Sequence, residues 1–184
     1  MMMNSKITSQ RLLDFLARLG RCYRHPGKVL LVGGSSLILT ASKTSTLDID
    51  LQFDVEPEHH TAFIRCLRQL SRQLKLPIEQ ASPEQFIPLP KGYQHRHRFI
   101  GRYGLLDVFH FDFYSVALSK IHRGNEKDFV DVIQMVTQGV IELPQLRQYY
   151  SEVLPQLEGM LQSNPQRMKR RFAFFEKRLA EESS

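Results

Sequence analysis

The most constraining feature of this chain is the run KVLLVGGSSLILTA, from Lys28 to Ala41. A short apolar stretch stops at a glycine pair and two serines, and a second apolar stretch follows at once. The first run is too short for a helix and reads as a buried strand; "SSLILTA" reads as a helix starting directly after the glycines. Glycine lets backbone come close to a ligand. A helix start offers unpaired N–H groups and a partial positive charge. With the hydroxyls of Ser35 and Ser36, Gly33 and Gly34 can cradle a phosphate. The same residues also make an ordinary strand-to-helix turn with a serine cap.

The next segment, TLDIDLQF, alternates cleanly. Ile49, Leu51 and Phe53 point one way, and Asp48, Asp50 and Gln52 point the other. Positions i and i+2 of a strand share a face about 6.5 Å apart at the backbone. Two carboxylates so placed can converge on hard, oxygen-ligated cations such as Mg²⁺. A pair of such ions can clamp the attacking and leaving oxygens of a phosphoryl or nucleotidyl transfer. A solvated strand face is the other reading.

Gly34-Ser35, twelve residues, then Asp48-Ile49-Asp50 resembles the signature of the nucleotidyltransferase (DNA polymerase β-like) superfamily. The resemblance implies that Asp48 and Asp50 hold one or two Mg²⁺ ions. It also implies that Gly33, Gly34 and Ser35 contact the triphosphate of an NTP. A second resemblance covers residues 107–139. There, FHFDFYSVALSKIHRGNEKDFVDVIQMV looks like the C-terminal motif of uncharacterised bacterial nucleotidyltransferase-like proteins, which are similar to the abortive-infection toxins of type IV toxin–antitoxin systems. In those families a helical Lys and a downstream Asp follow the core. The matching residues here are Lys120 and Asp128, with Asp131 one turn further. The implied activity is transfer of NMP from an NTP to a hydroxyl of RNA (tRNA) or protein, toxin-like in role and with an antitoxin partner.

The residues of the second block agree with a helical region. Ala117, Leu118 and Ile121, then Phe129, Val132, Ile133 and Val136, make apolar faces, and Asp128 and Asp131 are i, i+3 neighbours. Lys120 beside these acids either neutralises phosphate charge or ties two helices together as a structural ion pair. The superfamily adds a third carboxylate from a later strand. Asp107 and Asp112 are the candidates; they lie on opposite faces of a regular strand because their spacing is odd. Asp107, flanked by apolar residues, is favoured as a metal ligand or base. Asp112 can instead cap the helix near Tyr114 or Ser115.

The expected fold is α+β: a nucleotidyltransferase-like mixed sheet with flanking helices over residues 1–114, then a helical region over 115–184 packed on it. At 184 residues the chain can bury a real core. Its formal charge of +6 permits an anionic partner without demanding one. The basic final helix, QRMKRRFAFFEKRL, is either a solvated face or an RNA contact, and QHRHR is an exposed strand edge or a contact to RNA or triphosphate. Cys22 and Cys66 show no zinc spacing, Cys66 reads as a small core residue, and the usage suits a reducing cytoplasm. No apolar run approaches a membrane span, and the first ten residues lack the apolar core of a signal peptide. No Walker A or GxSxG motif is present. The alternative to catalysis is a non-catalytic nucleotide-binding or protein-interaction module on the same fold.

Overall fold

The structure is a computed structural model, described over residues 6–40, 42–160 and 164–182. The first five of the ten N-terminal residues read for a signal peptide, and Ala41 at the end of the SSLILTA segment, lie outside these. The chain divides into two compact units: residues up to Ala81 with His97–Phe111, and Ser82–Arg96 with Asp112 onward.

In the first unit, α1 (Ser9–Cys22) and α3 (His60–Leu74) accompany a five-stranded mixed sheet. The strands are β1 (Gly27–Leu31), β2 (Ile49–Val55), β3 (Ile78–Gln80), β4 (Arg98–Tyr103) and β5 (Leu106–His110), in the order β3-β2-β1-β5-β4. β1 runs antiparallel to β2 and parallel to β5; β3 is parallel to β2. β4 and β5 form a hairpin, with Gly104 at φ +62° in its turn, where a residue with a side chain would be strained. β3 was not anticipated: three residues after a proline carry too little periodicity to announce a strand.

Alternation divides the sheet by chemistry. Val29, Leu31, Ile49, Leu51, Leu106 and Val108 share one face and are buried in one core with Leu12, Phe15, Leu16 and Leu19 of α1 and Phe63, Leu67 and Leu70 of α3. Lys28, Leu30, Asp50, Gln52 and Asp107 stand on the opposite face. Between β1 and β2 lies the short helix α2 (Gly33–Leu37), which begins on the glycines rather than after them. The Ser36 hydroxyl meets His110 Nδ1 at 2.7 Å and so ties α2 to the end of β5. Cys66 belongs to this core, and it is bonded to Cys22 as a disulfide with the Cα atoms 5.8 Å apart. Disulfides are rare in reducing compartments, so this bond departs from the expectation drawn from cysteine usage.

The second unit holds α4 (Phe113–Arg123), α5 (Glu126–Thr137), α6 (Leu143–Val153) and α7 (Pro165–Glu182). Asn164 caps α7 by accepting from the Arg167 amide at 3.1 Å. Asp112 is fully buried and caps α4, accepting from the amides of Tyr114 and Ser115; Arg96 grips the same carboxylate as a fork at 3.0 and 2.9 Å. Arg96 of QHRHR is therefore an anchor rather than an exposed edge charge. Lys120 reaches Asp128 at 3.1 Å and Asp131 at 2.7 Å, with all three side chains buried, and Arg123 and Asn125 also donate to Asp128. This network joins α4 to α5. Among the described residues no helix is long and apolar enough to cross a membrane.

Removing one partner from a buried ion network leaves the others uncompensated. Lys120→Met is expected to lower the unfolding free energy by about 3–5 kcal/mol in urea titrations at neutral pH. His110 gives a pH signature. Burial, with Arg98 nearby, pushes its imidazole down to about 4. The folded state therefore favours the neutral ring. Its contribution is complete above the unfolded value near 6.5 and is lost as pH falls toward 4, at most about 3 kcal/mol in all. His110→Gln should flatten the stability–pH curve between about pH 6.5 and 4 relative to the parent chain.

Candidate active site

The site forms where β1, α2, β2 and β3 meet. β1 ends at Leu31, and the Val32 amide donates to Asp50 O at 3.0 Å, so the glycine turn begins level with the middle of the Asp-x-Asp motif. Gly33 has φ +56°, and a Cβ there would lie 2.8 Å from Asp50 Oδ2. A Cβ on Gly34 would lie 2.3 Å from Thr46 Oγ1. Both positions exclude side chains because the acidic strand and its approach press against the turn.

Ser35 fastens that arrangement. Its fully buried hydroxyl accepts from the Asp50 amide at 2.8 Å and donates to Asp48 O at 3.3 Å. The serine expected to face phosphate thus grips the backbone on either side of Ile49. The first amides of a helix have no intrahelical partner, and no side chain caps α2. Lys43, in the loop between α2 and β2, brings its Nζ within 3.8 Å of the Cβ position of Gly34.

Asp50 stands on β2 and Asp48 in the bend just before it, both half-buried, so the cluster rather than strand alternation brings the pair together; Thr46 Oγ1 lies 3.5 Å from Asp48 Oδ1. The third carboxylate beside them is Glu79 on β3, the direct neighbour of Asp50 in the parallel pairing. One oxygen from each of the three lies within 4.8 Å of the others. Three like charges this close repel, and a divalent cation relieves the repulsion. An all-carboxylate set is the donor chemistry of Mg²⁺ rather than of a soft or imidazole-seeking metal, so the residues fit that ion.

Of the remaining sequence candidates, Asp107 belongs to the same sheet but not to this cluster. Asp107 pairs across strands with Lys28, four residues before Val32, which puts it about 13 Å along the sheet from the level of Asp50. The Arg102 guanidinium holds it as a fork at 2.7 and 2.9 Å and keeps its carboxyl below the usual range. Lys120 and Asp128 sit in the buried network of the second unit. Glu79 and Lys43 escaped the sequence reading. The signal for Glu79 was an acidic residue beside Ile78 after the α3 helix pattern, and for Lys43 a base in the short loop before the acidic strand.

No curated protein and no solved structure matches the chain. A family model described as a nucleotidyltransferase of unknown function (DUF6036) matches residues 10–179. That span takes in the glycine turn, the acidic strand and the helical region together, so the chain belongs to this nucleotidyltransferase family.

Proposed function

We propose that the protein is a Mg²⁺-dependent nucleotidyltransferase that moves NMP from an NTP to a hydroxyl of RNA or protein. The observation that carries the reading is the meeting of Asp48, Asp50 and Glu79 directly beside an uncapped glycine turn. Asp48, Asp50 and Glu79 would hold the metal. When bound, Mg²⁺ supplies Lewis-acid stabilisation of the charge that develops on the transferring phosphoryl group.

The chain's own residues do the rest. The amides of Gly33 and Gly34 point a helix start at the triphosphate, and the Lys43 ammonium adds positive charge over the same turn. Ser35 positions the acidic strand instead of meeting substrate. Glu79 takes the place of the third carboxylate, for which Asp107 was favoured over Asp112, and the fork from Arg102 supports a structural role for Asp107. Burial against two carboxylates likewise supports a scaffold role for Lys120 and Asp128. A toxin-like role and an antitoxin partner rest on the resemblance of residues 107–139 alone. A cytoplasmic setting is part of the proposal because NTPs are its substrates, and the Cys22–Cys66 disulfide is the feature that speaks against it.

The test is a label-transfer assay with Mg²⁺, each α-labelled NTP in turn, and total RNA plus protein extract. Label should move onto one acceptor class with the parent chain. Asp48→Asn should lower the rate at least 1,000-fold while the thermal midpoint stays within a few degrees. Full transfer by folded Asp48→Asn would remove the metal assignment. NTP binding without any product, in the presence of Mg²⁺, would favour the non-catalytic binding module.

A further inference from the structure

We propose that the outer face of α3 is a docking surface for single-stranded RNA. Arg65, Arg68 and Arg72 are exposed and recur at i, i+3 and i+7, which lines them along one helix face for about 10 Å. None of the three forms an ion pair with a described residue, and α3 contains no acidic residue at all. Its neighbour α1 carries three more arginines, of which Arg11 is bound to the carbonyls of Lys6 and Leu74 and Arg18 to Asp14, while Arg21 is exposed. α7, the helix whose basic composition first suggested RNA, mixes its bases with Glu176, Glu181 and Glu182, and its Arg178 is bound to Glu126 and its Arg171 to the backbone of His122.

Two further features select the ligand. The arginine face bounds a shallow groove of about 850 Å³, and Gln69 and Gln73 interleave with the arginines as hydrogen-bonding groups. Beside it lies a pocket of about 290 Å³ with Phe53 and Ile78 on its apolar side and Ser71 and Gln80 on its polar side, and Arg68 and Arg72 line both. A strand whose phosphates lie on the guanidinium forks can turn a base into that pocket, the combination of backbone charge and base burial typical of single-strand binding. The glutamines suit the 2′-hydroxyl that distinguishes RNA. An anionic membrane fits less well, because the exposed large apolar residues (Leu47, Phe99, Leu105, Val130 and Phe174) all lie off α3. The docking stands independently of the transfer reading, and it names RNA as the acceptor class if that reading holds.

The test is fluorescence anisotropy with a labelled, unstructured 20-nucleotide RNA at 50 and 200 mM KCl. Three phosphate contacts give a log–log salt slope of about −2, so affinity should fall about 20-fold between the two salts. R65Q/R68Q/R72Q, which alters only exposed side chains, should keep its circular dichroism and thermal midpoint. It should bind at least tenfold more weakly at 50 mM KCl and lose most of the slope. Asp48→Asn/Asp50→Asn should bind RNA like the parent, and RNA binding by a parent chain that transfers no label supports the docking while removing the transfer reading. Unchanged binding by the folded triple variant overturns the proposal. So does equal affinity for DNA of the same sequence, or arginine-dependent capture by phosphatidylserine vesicles or polyglutamate without RNA binding.

Discussion

The buried hydroxyl of Ser35 is the contact on which the candidate site depends. It bonds the backbone at Asp48 and Asp50 while sitting in the first turn of α2. One side chain thereby fixes the distance between the glycine turn and the acidic strand. Neither element could hold that spacing alone: α2 is only five residues long, and a helix that short is marginal without tertiary support. Glycine at 33 and 34 permits the close approach, and Ser35 locks it.

That lock explains why the two halves of the motif are separated by a short connection in sequence but touch in space. β1 and β2 are antiparallel neighbours at the centre of the sheet, so the end of one strand and the start of the next lie side by side. Alternation then sends Ile49 and Leu51 into the core and leaves Asp50 on the opposite face. The same sheet separates two electrostatic environments. The carboxylates gather at the β2–β3 edge, whereas α1 and α3, on the other face, carry the arginines.

Much of this was legible in the sequence. The alternation of TLDIDLQF gave the face of Asp50, and the glycine pair gave the strand-to-helix turn beside it; the odd spacing of Asp107 and Asp112 did not act as read, because β5 ends at His110 and Asp112 lies past it. Asp112 proved to be the helix cap its position suggested. What was not legible depends on pairing between segments distant in the chain. Glu79 joins Asp50 only because β3 adds in parallel beside β2, a register that three residues cannot announce. Arg102 reaches Asp107 only across the β4–β5 hairpin, and Cys22 meets Cys66 only when α1 packs on α3. Motifs read along one strand were recoverable; clusters assembled across strands and helices were not.

We propose that Asp48, Asp50 and Glu79 form one cation site. Its most direct test is a Mn²⁺ titration followed by electron paramagnetic resonance, with Mg²⁺ competition, on the parent chain, Asp50→Asn and Glu79→Gln. Saturable Mn²⁺ binding displaced by Mg²⁺ is expected, lost in Asp50→Asn and weakened about tenfold or more in Glu79→Gln. Parent-like binding by both folded variants would contradict it.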